Sequence, residues 1–160
     1  MYTLIKSILF LFPAEKAHYM AMNSFKVLCG ISILNSIIRQ LFYYENEKLK
    51  INRLGLEFKN PVGIAAGFDK DARYIRELDI LGFGFVEVGT VTPMPQDGNP
   101  QPRLFRLKKD NALINRMGFN NGGVDQMVER LRKIKDKKII IGGNIGKNKV
   151  TPLELSLIHI

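Results

Sequence analysis

The chain has 160 residues, 46% of them hydrophobic and 24% charged, a balance that excludes a disordered protein and suffices for one domain with its own core. Its net charge of +9 suits an anionic partner: a membrane surface, a phosphate-bearing cofactor, an acidic substrate or nucleic acid, among which motifs must choose. The single cysteine, Cys29 within the apolar run Val27 to Ile31, excludes an internal disulfide and reads as a buried, inert thiol.

Leu4 to Phe12 is apolar but short of the ~20 residues that a bilayer-spanning helix needs. A signal peptide would place Lys6 before such a core, yet Pro13 to Ala17 offers no small-x-small cleavage site. From Glu15 to Tyr43, apolar residues recur at helical spacing: Met20, Phe25, Val27, Leu28 and Ile31, then Ile33, Leu34, Ile37, Ile38 and Leu41. Two short amphipathic helices follow from that spacing. Their apolar faces either lie in a membrane interface or pack on the main domain, and spacing alone does not choose.

Lys48 to Phe58 alternates polar and apolar residues and predicts a small hairpin. Val62 to Ala65 is the first core strand, followed by a helix over Ala72 to Leu81 that Gly82 stops. Phe85 to Val88 is the second strand. Thr92 to Pro102 is rich in Pro and Gly and is loop, and Arg103 to Leu107 with Ala112 to Asn115 makes an inserted hairpin. The next helix carries Val124, Met127, Val128, Leu131 and Ile134 on one face. Asp125 lies in its first turn, with Arg130, Arg132, Lys133 and Lys135 at the end where the helix dipole favours cations. No aromatic residues interleave with that basic run, so it is a solvated helix end and no nucleic-acid partner is expected. Lys138 to Ile141 is the third strand, ending in Gly142 to Asn148. Strand and helix in alternation predict an α/β fold, either a doubly wound sheet or a (β/α)8 TIM barrel.

Polar residues cluster where these strands end, the usual place for a ligand in a parallel α/β sheet. Lys70 follows strand one and can hold an anionic substrate or a reduced flavin ring, or be a surface lysine between Asp69 and Asp71. Thr90 after Gly89 can hydrogen-bond a cofactor or serve ordinary turn chemistry. Asn115 and Asn120 offer neutral amides suited to a ring bearing N–H and C=O groups, and Asn144 falls in the same layer. There is no G-x-G-x-x-G, no phosphate-loop lysine motif, and no His or Cys cluster with metal-ligand spacing.

Four runs carry a resemblance: N-P-V-G-I-A-A-G-F-D-K-D (Asn60 to Asp71), F-V-E-V-G-T-V-T-P (Phe85 to Pro93), P-R-L-F-R-L (Pro102 to Leu107) and I-N-R-M-G-F-N-N (Ile114 to Asn121). From about Phe12 to Glu154 the chain closely resembles the dihydroorotate dehydrogenases, specifically their membrane-associated, quinone-dependent class. The resemblance implies an FMN-containing (β/α)8 barrel that oxidises dihydroorotate to orotate in pyrimidine synthesis. It implies FMN contacts at Ala66, Gly67, Lys70, Thr90 and Asn144. It also implies that Lys70, Asn115, Arg116, Met117, Gly118 and Phe119 hold the substrate. Pro13 to His18 resembles the segment with which the quinone-dependent class begins, which implies a helical tunnel in the membrane interface with His18 and Arg106 meeting the quinone. Without that motif, His18 is a helix-surface histidine and Arg106 a partner for some carboxylate.

The resemblance divides the chain into a helical quinone-tunnel segment at 1–44, the first three strands of the FMN-binding barrel at 45–154, and a tail at 155–160 foreign to the family. A barrel of this type takes ~250 residues. The family's catalytic serine, on a loop after strand four, has no counterpart here, Ser156 lying outside any matching motif, so the chain by itself is expected to be inactive. The expected location is peripheral, on the bacterial inner membrane or alternatively the mitochondrial one. Two other readings stay open at this point: a non-catalytic protein binding a membrane surface through its N-terminus, and a different FMN barrel oxidoreductase acting on pyrimidine rings.

Overall fold

The computed structural model describes residues 2–134 and 139–155. At its centre is a parallel sheet of three strands, β3 (Gly63–Ile64), β4 (Phe85–Val91) and β7 (Ile140–Ile145), in the order β3–β4–β7. Parallel neighbours cannot be joined by a tight turn, and here helices make the crossovers: α4 (Ile75–Ile80) between β3 and β4, and α5 (Val124–Arg132) before β7. One face of the central strand β4 is apolar, and its Val86 and Val88 are fully buried. They form one core with Ile75, Leu78, Met127 and Ile139. The α5 stripe read from the sequence is the face that meets this core, through Met127 and Leu131.

Backbone chemistry fixes the entry to the sheet. Asn60 donates through its side-chain amide to the Gly82 carbonyl (2.8 Å) and accepts from the Val62 N–H (3.0 Å), joining the start of β3 to the end of α4. Gly84 lies against it so closely that a Cβ would strike the Asn60 carbonyl oxygen. Gly82, at φ 87°, ends α4 as expected.

Several boundaries differ from the sequence reading. The helix expected from Ala72 begins only at Ile75, and the Asp69 carboxylate accepts from the backbone N–H groups of Arg73 (2.8 Å) and Tyr74 (2.7 Å) just ahead of it. Ala72 itself sits at φ 56°, in the left-handed region. The second strand runs on to Val91 and carries β7 with it, so Gly142, Gly143 and Asn144 lie within β7 instead of beyond it. Gly143 pairs with Val88 and Asn144 with Gly89. Lys138, expected to open that strand, falls outside the described residues, as does all of the expected tail except Leu155. Among the described residues the sheet is open, so the barrel expectation is met by its first parallel strands and not by a closed ring.

Two hairpins flank the sheet. One, β1 (Ile51–Arg53) with β2 (Leu56–Phe58), turns at Leu54 and Gly55, both at positive φ. The other, β5 (Leu104–Leu107) with β6 (Ala112–Asn115), is the predicted insertion.

The N-terminal region holds three helices where two were expected: α1 (Tyr2–Leu9), α2 (Ala14–Gly30) and α3 (Ser32–Phe42). Between α2 and α3 the chain bends by 110°. Helix α2 is tied to the main domain by Lys26 Nζ on the Arg73 carbonyl (2.9 Å) and by the Tyr74 hydroxyl on Asn23 Oδ1 (2.9 Å). Helix α3 is held by an Arg39–Asp79 ion pair and buries none of its residues, leaving Ile33 and Leu41 more than 70% exposed. Among the described residues no single helix is long and apolar enough to cross a membrane.

Leu78, 1% exposed at the middle of the core, provides a test of this packing. Leu78→Ala is expected to destabilise the chain by about 2–5 kcal/mol in urea unfolding; a loss under about 1 kcal/mol would mean that α4 does not seat on the sheet as described.

Candidate functional site

The site begins where β3 and β4 end. The Gly67 N–H donates to the Gly89 carbonyl (2.7 Å), and the Gly89 N–H donates to the Asp69 carbonyl (3.2 Å). Both glycines are at positive φ, 103° and 115°, which side chains rarely tolerate. A Cβ on Gly89 would also collide with the Asn144 carbonyl oxygen of β7. On the far side of this junction the Thr90 hydroxyl donates to Asn144 Oδ1 (2.6 Å), and Asn144 Nδ2 donates to Glu87 Oε1 (2.8 Å). Thr90 and Asn144, from separate strands, are therefore one hydrogen-bonded unit with a fixed amide orientation.

Gly67 and Lys70 line a cleft of about 190 Å³ with Phe68, His18, Asn115 and Met117. Two of its walls come from outside the sheet: α2 supplies His18, and the inserted hairpin and the loop after it supply Asn115 and Met117. Lys70 Nζ donates to Asn120 Oδ1 at 2.5 Å. Burial lowers the lysine's pKa and the Arg103 cation lowers it further, against the pull of Glu15 and Asp71. His18 meets Phe68 edge-on, ring centroids 5.1 Å apart. Burial likewise takes its pKa below the usual 6.5, with Asp69 opposing and Lys70 assisting. Asp69 is pushed upward by burial, which outweighs the two N–H groups bonded to its carboxylate.

The structure thus brings together His18, Gly67, Lys70, Asn115 and Met117 from the sequence-derived set, and pairs Thr90 with Asn144. Ala66 is half-buried beside Gly67. The others stand differently. Arg116 is exposed, and its backbone is what is held, N–H to Arg103 O (2.9 Å) and C=O to Asn99 Nδ2 (2.8 Å). Gly118 packs on Asn99, and Phe119, at φ 53°, is 56% exposed. Arg106 is not in the His18 cleft: it donates to the carbonyls of Phe12 (2.7 Å) and Leu9 (3.4 Å) and lies over the Phe10 ring, pinning the end of α1 to β5.

Three features escaped the sequence reading. The buried side chains of Thr92, Asn121 and Asn148 bond one another and tie together the loops after β4, β6 and β7. Asp69 caps the turn before α4, a role that its spacing to Arg73 and Tyr74 signals. Glu15 and Arg103 form an ion pair across 88 residues, which no local pattern reveals. Among the described residues no group of three His, Cys, Asp or Glu side chains could hold a metal.

Parallel strands whose polar ends gather under a separate helical wall define an α/β protein with a cleft at the carboxyl side of its strands. The sequence profile of the family described as dihydroorotate dehydrogenase matches residues 48–157. A protein of Christiangramia forsetii named dihydroorotate dehydrogenase (quinone) is 54% identical over 152 residues, 95% of this chain and 44% of that protein. One from Roseiflexus sp. with the same name is 49% identical over 154 residues, 96% of this chain and 43% of its own length. A crystal structure of the Eimeria tenella enzyme DHODH in complex with ferulenol superposes with a TM-score of 0.62 at 42% identity, over 76% of this chain and 37% of that one. The chain belongs to the dihydroorotate dehydrogenase family, and it spans less than half the length of these relatives.

Two expectations follow from the electrostatics of the cleft. Asn120→Asp places a carboxylate on Lys70 and should raise the lysine pKa, read by NMR titration of its side chain; an unmoved titration would show that the two groups do not meet. His18 binds its proton more weakly folded than unfolded, so its burial costs nothing above pH 6.5, where both states are neutral. The cost grows as pH falls from there to the lower folded value, below which it is fully present. Asp69, Lys70 and Glu15, which face it, are common to both proteins, so stability measured against pH should fall less on the acid side in His18→Gln; identical acid limbs would contradict the burial of His18.

Proposed function

We propose that this chain is the cofactor- and ring-binding half of a quinone-dependent dihydroorotate dehydrogenase, with FMN as its cofactor and dihydroorotate and orotate as its ligands. The observation that carries the reading is the convergence of a lysine, neutral amides and glycine backbone from separate β-α units on one side of the sheet, in a chain that belongs to this family.

The residues fit a flat flavin. A Cβ on Gly67 would meet nothing within 4 Å, so the backbone there presents an open face, and Thr90 and Asn144, across the Gly67–Gly89 junction, are already bonded to each other. Ala66, Gly67, Lys70, Thr90 and Asn144 would hold FMN, which when bound accepts hydride from the substrate and delivers electrons to quinone. Lys70, half-buried and held by a neutral partner, keeps its cation available for a carboxylate. The side-chain amide of Asn115 can read the N–H and C=O edges of a pyrimidine, with Arg116 to Phe119 completing that segment. His18, set against Phe68, closes the cleft on the α2 side and helps to exclude water.

Helices α1 to α3 are assigned to the membrane interface, where a quinone would enter. Support comes from the exposed Leu4, Ile8, Ile33 and Leu41 and from the bend that lays α3 across α2. His18 and Arg106 are assigned to the quinone path, Arg106 by fixing α1 over the hairpin. The location proposed is the bacterial inner (cytoplasmic) membrane, as a peripheral protein, in keeping with the bacterial relatives.

The test uses a protein of the relatives' full length that carries this segment. It should purify with flavin absorbance and reduce quinone on addition of dihydroorotate. Lys70→Met should weaken orotate binding, followed by the flavin spectrum, by about tenfold or more, the worth of one charge-assisted hydrogen bond. Unchanged orotate affinity in that variant, or a flavin-free protein, would overturn the assignment.

A further inference from the structure

We infer that Glu15 and Arg103 are positioning residues that couple the docking of the N-terminal helices to the order of the ring-reading segment 115–117. Arg103 is buried, and the pair is two-pronged: Nη2 to Glu15 Oε1 at 2.7 Å and Nε to Oε2 at 3.0 Å, with side-chain exposures of 8% and 14%. The remaining fork nitrogen, Nη1, donates to the carbonyls of Asp97 and Asn99, at 2.5 and 3.0 Å. One planar guanidinium therefore spans a helix and a loop, a geometry that a lysine could not reproduce.

From Asn99 the chain of bonds continues without a gap. The Asn99 N–H donates to the Met117 carbonyl (2.9 Å), its side-chain amide to the Arg116 carbonyl (2.8 Å), and the Arg116 N–H returns to the Arg103 carbonyl (2.9 Å). Glu15 lies in the first turn of α2, and His18, one turn on, faces the cleft that Asn115 and Met117 line. If α2 lifts, Arg103 loses its only carboxylate partner among the described residues and becomes a buried unpaired charge. The guanidinium must then turn toward water, and with that turn it releases the two loop carbonyls. The helical entrance and the ring segment are in this way joined through one side chain, and the state of each biases the other.

Hydrogen exchange on this chain tests the coupling. Glu15→Gln, which keeps the side chain's shape, should speed exchange at the Asn99 and Arg116 amides on the order of tenfold, although Glu15 touches neither. Arg103→Lys should speed the same amides, since lysine cannot serve both carbonyls. Asn23→Ala, which loosens α2 at Tyr74 and leaves the Glu15–Arg103 pair in place, should speed them less. The coupling is refuted if Glu15→Gln leaves both amides protected, or if Asn23→Ala speeds them equally. Should Glu15→Gln fail to fold, Glu15→Asp, which keeps the charge and shortens its reach to Arg103, decides: faster exchange at the Asn99 and Arg116 amides supports the coupling, and unchanged protection overturns it.

A second arm rests on the proposed function: orotate, titrated into a protein of the relatives' full length that carries this segment, should bind several-fold more weakly in Glu15→Gln. If orotate fails to bind even the unsubstituted full-length protein, the ring-reading assignment falls while the exchange result still judges the coupling.

Discussion

A parallel strand that stops beside its neighbour leaves backbone groups which must find partners or water. Here the ends of β3 and β4 satisfy each other through Gly67, Gly89 and Asp69. That exchange of two hydrogen bonds places the whole turn 67–71 above the sheet, with Lys70 on the open side and Asp69 turned inward to cap the start of α4. It requires glycine at both positions, for φ at Gly67 and Gly89 and for the close approach of the Asn144 carbonyl. The cleft is a consequence of how the strands end, and the side chains around it are arranged on that frame.

The charge of Lys70 is managed by a neutral partner. Lys70 is met by the amide of Asn120 where a carboxylate would have neutralised it, and burial together with Arg103 weakens its hold on a proton. Such a cation is poised for an anion brought from outside. Arg103, by contrast, is fully paired by Glu15, so Lys70 and Arg103 have distinct tasks: one is left available and the other is spent on architecture. The polar core formed by Thr92, Asn121 and Asn148 likewise holds three loops with uncharged groups, avoiding the desolvation that buried ions incur.

Much of this was legible in the sequence, for identifiable reasons. Helix α5 and strand β4 announce themselves by period, since their apolar faces are set by the core that they share. Lys70, Thr90, Asn115 and Asn144 stood out because each follows an apolar run, the position that a strand end gives to a ligand. What could not be read depends on side chains competing with backbone or on contacts far along the chain. The left-handed backbone at Ala72 delays α4, and Asp69 caps the turn ahead of it, neither of which periodicity reveals. Glycines 142 and 143 looked like a strand's end, yet pairing with the longer β4 keeps them in the sheet. Arg106 and Arg103 sit three residues apart in one motif, and only three-dimensional placement shows that one pins α1 and the other pairs with α2.

The central claim is that groups from separate β-α units share one ring-binding cleft beneath the N-terminal helices. Its most direct measurement is a crystal structure of the protein at the relatives' full length, grown with FMN and orotate. The account predicts orotate within hydrogen-bonding distance of Lys70 and Asn115, flavin against Gly67, Thr90 and Asn144, and α2 covering both. Flavin bound away from those strand ends, or Lys70 and Asn115 facing different solvent surfaces, would contradict it.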